Sequence, residues 1–316
     1  MSRRILWSDD PDYLNLDSTK KLELEEKFGS KYDSTKLLPI SFVIICKNAE
    51  RTIKRCLHSI VSKIEQIDEV IVVDTGSTDN TKSLVKDFSP SVKLFQHPWC
   101  DNFAESRNAA INYCRHEWIF FIDADEWLES NVVAIRQAIL TVRNFNKTLC
   151  IAPLIKNNNG TAVIGLPRIF SKSIQARYFG YVHEELRYSD LNPVSTLCLS
   201  TIVLQHDGYD DQVVDIKQKL KRNCSLMIKN LQAEPHYVRW QYFEARDSYL
   251  VSGSELREIF IDKLKKIILD SSSSLKDQGY KRRAFADLFF IFTDSLDLAN
   301  LSWLVEKSSD QKIGIP

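Results

Sequence analysis

Between residues 38 and 125, short continuous apolar runs alternate with runs of helical spacing, and this alternation constrains the fold more than any other feature. "LLPISFVIICKN" is apolar throughout and ends in polar residues, the pattern of a buried strand. "AERTIKRCLHSIVSKI" then places Ile53, Leu57, Ile60, Val61 and Ile64 along one helical stripe. A strand over 70–73, a helix in "TKSLVKDF", a strand in "VKLFQH", a helix in "FAESRNAAINYC" and a strand in "EWIFFIDAD" follow. Short links and doubly buried strands predict a mainly parallel sheet flanked by helices, an α/β, Rossmann-like architecture. Ligands of such sheets sit beyond the carboxyl ends of the strands. One rim therefore gathers Lys47, Asn48 and Glu50, then Asp74, Ser77 and Asp79, then Asp123 and Asp125.

After about residue 148 the pattern turns to short strands and turns, and after 210 to helices. Val213, Ile216, Leu220, Cys224, Met227 and Leu231 recur every three or four residues, and helical segments are expected near 236–251, 254–270, 280–295 and 298–308. The expected organisation is an extension over 1–36 with a short helical pattern at 22–28, an α/β domain over 37–210 and a helical subdomain over 211–316. The extension is left open between covering the site and mediating a homodimer.

Composition narrows the function. Basic and acidic residues number 42 each, so bulk charge supplies no reason for a nucleic-acid partner. A hydrophobic share of 44% excludes the disordered and low-complexity classes. Seven scattered cysteines without a C-x-x-C pair are expected as buried, reduced thiols of a cytoplasmic protein. "MSRRILWSDDPDYLNLD" has no apolar core and is not read as a signal peptide. No apolar run reaches the roughly 18 residues of a transmembrane segment.

The last strand of the alternation runs into Asp123, Asp125 and Glu126, like charges that repel unless something positive lies among them. Two carboxylates at i and i+2 beyond a strand can turn toward one hard divalent cation, Mg²⁺ or Mn²⁺, which completes its shell with substrate phosphates. Solvated carboxylates also end strands; the acids on neighbouring strand ends favour the cation. In "DTGSTDNT", Thr78 or Asp79 can cap the next helix, whereas Asp74 precedes the turn and can accept from a nucleotide's base or ribose. Arg107 either pairs with Glu105 or offers its planar fork to a diphosphate or base. His206 ends the apolar strand "TIVLQ" and is a candidate third metal ligand. Glu184 and Glu185 of "YVHEEL" are candidate general bases or ordinary edge-strand residues. Lys217, Lys219, Lys221 and Arg222 form either a solvated helix face or a phosphate contact.

"SFVIICKNAERTIKRCLHSI", "EVIVVDTGSTDNT", "ESRNAAI" and "WIFFIDADE", in this order, resemble the inverting family-two glycosyltransferases of the GT-A nucleotide-sugar fold. "YVHEEL", "LQHDGY" and "KLKRN" further resemble the branch containing the sublancin-type bacteriocin (glycocin) S-/O-glycosyltransferases, and the V-H-E segment is also found in lipopolysaccharide-core glucosyltransferases. The resemblance implies a UDP-sugar donor, with UDP-glucose first, and a precursor-peptide acceptor modified at Cys or Ser, or alternatively a saccharide or lipid acceptor. It implies that Ile45, Lys47, Asn48 and Glu50 border the nucleotide and that Asp74 and Ser77 meet base or ribose. Arg107 would lie against uracil or diphosphate. Asp123 and Ala124 would line the donor, with Asp123 near ribose and metal. Asp125 would ligate the metal, with His206 completing the protein's share. Glu184 would be the base, with Glu185 the second choice, and Lys219 and Arg222 would face the phosphates.

Overall fold

A computed structural model describes residues 38–145, 148–207, 216–270 and 275–310. The expected extension over 1–36, with its helical pattern at 22–28, lies outside the described residues. The alternation is present. Strand β1 (Ile40–Cys46) is followed by helix α1 (Ile53–Val61), β2 (Glu69–Asp74), α2 (Thr81–Lys86), β3 (Val92–Gln96), α3 (Phe103–Tyr113) and β4 (Trp118–Phe121). These four strands lie parallel in the order β3-β2-β1-β4. All six residues of β2 are buried, which explains why it reads as a continuous apolar run. Helix α1 buries Ile53, Cys56, Leu57 and Ile60, a repeat of three and four that turns one face onto the sheet.

Beyond β4 the sheet departs from the mainly parallel expectation. Strands β5 (Glu126–Leu128), β6 (Cys150–Asn157), β7 (Ala162–Val163), β8 (Ile169–Ser171) and β11 (Thr196–His206) extend it to nine strands, and β8 joins antiparallel to β4. Strands β6 and β11 run parallel to one another, while β5 pairs antiparallel with β11. Helix α4 (Val132–Phe145), which the strand pattern had passed over, links β5 to β6. Strands β9 (Arg177–Phe179) and β10 (Glu185–Arg187) form a separate two-stranded sheet. Short strands after residue 148 were expected, but not their antiparallel pairing, because strands of two or three residues carry too few side chains to show how they pair.

Five helices follow: α5 (Ile216–Ala233), α6 (Val238–Ser252), α7 (Arg257–Leu269), α8 (Leu275–Asp294) and α9 (Leu298–Asp310). They bury Trp240, Phe243, Leu264, Phe285, Leu288 and Phe292 in a core of their own, which also takes in Val182 from the β9–β10 turn. No helix among the described residues is long and apolar enough to cross a membrane. The expectation of uniformly buried cysteines needs correction: all seven are free, but Cys100 and Cys198 are exposed and Cys224 is half-buried.

Asp68 binds the first half of the domain together. Its Oδ1 accepts the Ile40 N–H at 3.0 Å, and its Oδ2 accepts the Glu65 N–H at 3.0 Å and Arg136 Nη2 at 2.7 Å. Arg136 comes from α4, is fully buried, and also donates to the Leu38 carbonyl at 3.1 Å. Removing the carboxylate leaves the buried guanidinium with only the half-exposed Glu65, at 3.6 Å, to offset its charge. Asp68→Ala should therefore lower stability by about 3–5 kcal/mol in urea denaturation, whereas exposed Lys86→Ala should change it little.

Candidate active site

The ends of β1 and β2 are tied into one shelf. Thr75 donates its N–H and its hydroxyl to the Cys46 carbonyl at 2.9 and 3.0 Å. Asn48, at φ 51°, accepts the Thr78 N–H at 2.8 Å while donating its own N–H to Ser77 Oγ at 2.8 Å. Glu50 accepts from the Asn80 N–H at 3.0 Å, and Asp79 accepts the Thr81 N–H at 3.0 Å, although the N-cap position of α2 is Asn80, not Thr78 or Asp79 as expected, and makes no side-chain cap bond. Asp74 is buried, and one of its oxygens takes the Gly76 and Ser77 N–H groups, both at 3.0 Å. Gly76 turns there at φ 105°, a backbone that side chains rarely adopt. Lys47 is exposed, its ammonium 5.7 Å from the Trp99 ring centre, while Ile45 and Ala124 are half-buried against the core.

The positive groups among the three carboxylates are arginines. Arg168 Nη2 bridges Asp123 Oδ2 at 2.6 Å and Glu126 Oε1 at 2.9 Å. Arg107 Nη2 donates to Asp123 Oδ1 at 2.8 Å, and its Nε donates to Glu184 Oε1 at 2.5 Å. Arg107 is thus not paired with Glu105. Burial disfavours the Asp123 carboxylate, but the two guanidiniums outweigh it and hold Asp123 far below the usual range. Glu126 is pushed up by burial and by the Asp123 charge, against the pull of Arg168. Burial likewise raises Glu184, yet Arg107 brings it below the usual carboxylate range, so it is ionised at neutral pH. Arg107 Nη1 and Arg168 Nε are buried without a protein acceptor among the described residues.

Asp125 and His206 come together because Glu126 pairs with His206 in the antiparallel β5–β11 register. His206 Nε2 lies 3.4 Å from Asp125 Oδ2. Its Nδ1 lies 2.8 Å from Asn157 Oδ1, and the Asn157 amide nitrogen donates to Thr161. This fixes the carbonyl end of Asn157 toward the ring, so Nδ1 carries the proton and the neutral tautomer points its Nε2 lone pair at the carboxylate. The pair meets through a proton on Nε2 or, with the ring neutral, has two acceptors that suit a divalent cation in that proton's place. Burial disfavours the imidazolium, but Asp125 outweighs burial and raises His206. Asp207, next in the chain, is buried and accepts from Arg51 at 3.1 Å and from Arg55, whose guanidinium stacks 3.8 Å from the Trp127 ring centre.

The turn bearing Glu184 is gripped from the helical side. Asn230 accepts the Tyr181 N–H at 2.6 Å and donates to the Val182 carbonyl at 2.9 Å. His183, at φ 52°, stacks on Phe243 with ring centres 4.2 Å apart and meets the fully buried Asp247 at 2.6 Å. Arg239 donates to the His183 carbonyl at 2.6 Å and to the Glu184 carbonyl at 3.3 Å. The two candidate bases are thereby separated: Glu184 faces Arg107, whereas Glu185 accepts from the Tyr237 hydroxyl at 2.6 Å and Arg187 at 3.0 Å. Arg222 stacks 5.0 Å from the Phe103 ring centre and donates to Asn223 at 2.9 Å; Lys219 is half-buried on the same helix, and Lys217 and Lys221 are exposed.

Sequence reasoning assigned no role to Arg168, Asn157, Asp207, Arg239 or Asp247. Arg168 is 45 residues from Asp123, and no local spacing links them. Asp207 adjoins His206 and was within reach of the same strand-end argument.

An α/β domain with a carboxylate–histidine pair and a buried arginine at its strand-end rim defines a GT-A-type protein. The chain belongs to glycosyl transferase family 2, whose family model matches residues 41–211. It is 30% identical over 239 residues to the SPbeta prophage-derived glycosyltransferase SunS of Bacillus subtilis (strain 168), covering 75% of this chain and 55% of that protein. It is also similar to the lipopolysaccharide core biosynthesis glycosyltransferase LpsC of Rhizobium meliloti (strain 1021), 36% identical over 95 residues, 29% of this chain and 33% of LpsC. WfgD of Escherichia coli, a UDP-Glc:alpha-D-GlcNAc-diphosphoundecaprenol beta-1,3-glucosyltransferase, is 26% identical over 159 residues, 49% of this chain and 63% of WfgD. The chain spans about half the length of SunS.

Gly180 tests the grip on the Glu184 turn. At φ 98°, a Cβ added there would lie 2.6 Å from the Trp240 ring. Gly180→Ala should cost about 1–3 kcal/mol, from overpacking against a rigid indole, and should speed hydrogen exchange over 180–187 ahead of β1 and β2.

Proposed function

We propose that this chain is a metal-dependent, inverting hexosyltransferase that moves glucose from UDP-glucose, or a related UDP-hexose, to Cys or Ser of a ribosomally made, bacteriocin-like precursor peptide. The observation that carries the reading is the close approach of Asp125 and His206, a carboxylate and an imidazole suited to share a divalent cation, together with Arg107, whose buried Nη1 has no protein acceptor among the described residues. Mg²⁺ or Mn²⁺ held by Asp125 and His206 would supply Lewis-acid stabilisation of the departing nucleoside diphosphate. Arg107 Nη1 offers that anion a further N–H. The shelf of Ile45, Lys47, Asn48, Glu50, Asp74 and Ser77 borders the nucleotide. Asp123 and Ala124 line the ribose side, and Lys219 and Arg222 add positive charge from α5.

Glu184 is the base. It takes the acceptor's proton as sulfur or oxygen attacks C1, the C1–O bond to UDP breaks, and one displacement turns an α-linked donor into a β-linked product. Glu185 is too committed to Tyr237 and Arg187 for this role. A carboxylate held low by Arg107 is a weak base, and a Cys thiol, ionising near about pH 8.5, asks less of it than a Ser hydroxyl. That favours an S-linked product. The peptide acceptor draws on the resemblance to the sublancin-type branch and is supported by the similarity to SunS over 75% of this chain. The similarity to LpsC and WfgD favours a second reading, a saccharide or lipid acceptor.

The deciding assay is UDP release from UDP-glucose with Mn²⁺, with and without a Cys- and Ser-containing peptide, followed by peptide mass. Peptide-stimulated turnover with a hexose mass increment is expected. Asp125→Ala should abolish turnover, and Glu184→Gln should lower kcat by about 10²–10⁴-fold with UDP binding retained. UDP binding without peptide stimulation would overturn the peptide acceptor and turn the search to saccharides and lipids. Full activity of Glu184→Gln would remove Glu184 as base.

A further inference from the structure

A second cluster of metal-ligating side chains lies on the same rim and shares no residue with the Asp125–His206 pair. His97, Cys100 and Glu105 each offer one ligand atom, and these atoms all lie within 4.8 Å of one another. The His97 ring nitrogen Nε2 is 2.6 Å from Glu105 Oε2, and Cys100 Sγ is 2.8 Å from the same oxygen. Two polar hydrogens thus converge on a single carboxylate oxygen, in the space one small cation would fill.

The frame around the cluster is built independently of it. His97 follows β3, and its N–H donates to the Asp74 carbonyl at 2.9 Å. Glu105 sits in the first turn of α3, its N–H accepted by Asn102 Oδ1 at 3.0 Å. The loop between folds back through Trp99 Nε1, which donates to Asp101 Oδ1 at 2.8 Å, and through Asp101 at φ 56°. Trp99 packs edge-on against Phe103 with ring centres 4.8 Å apart. Strand end and helix start therefore hold two ligands, while a short turn delivers the third. Access is open: the Glu105 side chain is 43% exposed, and a crevice of about 630 Å³ borders His97, Asn102, Glu105 and Asn108.

We propose that His97, Cys100 and Glu105 form a zinc site. A thiolate, an imidazole and a carboxylate are a zinc ligand set, whereas Mg²⁺ and Mn²⁺ favour oxygen. On binding, the Cys100 S–H bond breaks, its proton goes to solvent, and the thiolate coordinates the metal. His97 binds through a neutral ring nitrogen and Glu105 through its carboxylate. Two negative ligands then neutralise the dication, and water completes the four-coordinate shell. The metal would clamp the end of β3 to the start of α3, the helix that carries Arg107.

The test uses the full chain, reduced with a non-thiol reductant and kept in excess Mg²⁺ to fill the Asp125–His206 pair. Titration with Co²⁺, the spectroscopic stand-in for zinc, should give a one-equivalent endpoint and a thiolate-to-cobalt charge-transfer band. Zn²⁺ should displace the cobalt and raise the melting temperature. Cys100→Ser should lose both the band and the zinc-dependent rise, Glu105→Gln should weaken both, and Asp125→Ala should keep both. Zinc should also protect Cys100 from alkylation, read by peptide mass. Absence of the band, or a band that persists in folded Cys100→Ser, would overturn the site. Neither result bears on the transferase reading, since Asp125→Ala and Cys100→Ser separate the two.

Discussion

Arg107 is the interaction on which the rest of the site depends. One guanidinium, buried on α3, holds Asp123 at the end of β4 and Glu184 in the β9–β10 turn. Its planar fork reaches both because they lie in two directions from one plane, which a lysine ammonium on a flexible stem could not reproduce. Arg168 completes the arrangement from the far side by joining Asp123 to Glu126. The acidic cluster is therefore stable through its arginines, and Asp125, outside their reach, meets His206 instead. Both oxygens of Asp123 are already engaged by these arginines.

The helical region and the α/β domain are mechanically continuous at this point. The segment over 180–187 is pinned by Asn230, Arg239 and Asp247, and Arg187 closes it with bonds to Glu234 at 2.7 and 2.9 Å. Any movement of α5 or α6 is passed to the Glu184 turn through Asn230 and Arg239. That couples the helical region to the position of Glu184. The zinc cluster would act on the other partner of the same ion pair, by fixing the start of α3.

The parallel half of the sheet and all five helices after residue 216 were legible in the sequence, since each buries a repeating face long enough to show its period. The rim was legible too, because strand ends converge by topology: Asp74, Asp123 and Asp125 needed only the strand order to be gathered. Asn48 and Glu50 were expected to border a nucleotide; what the structure shows of them is a local duty, binding the Ser77–Asn80 loop. His206 was found by the same strand-end reasoning. Arg168 and Asp247 were not, because their partners lie 45 and 64 residues away and no periodicity carries that pairing.

The sequence by itself determined the alternation of elements, the acidic strand end and the family to which the chain belongs, because these follow from local burial period and from motif order. Tertiary structure alone decided which partner each acid meets. Glu184 and Glu185 are neighbours of the same type, and only the turn at His183, locked onto α6, sends one to Arg107 and the other to Tyr237. Asp123 and Asp125 are likewise alike in sequence. They differ because the arginines that meet Asp123 arrive from α3 and from just before β8, while the β5–β11 register brings His206 to Asp125. Charge assignments of this kind depend on distances across the fold, and a linear pattern does not contain them.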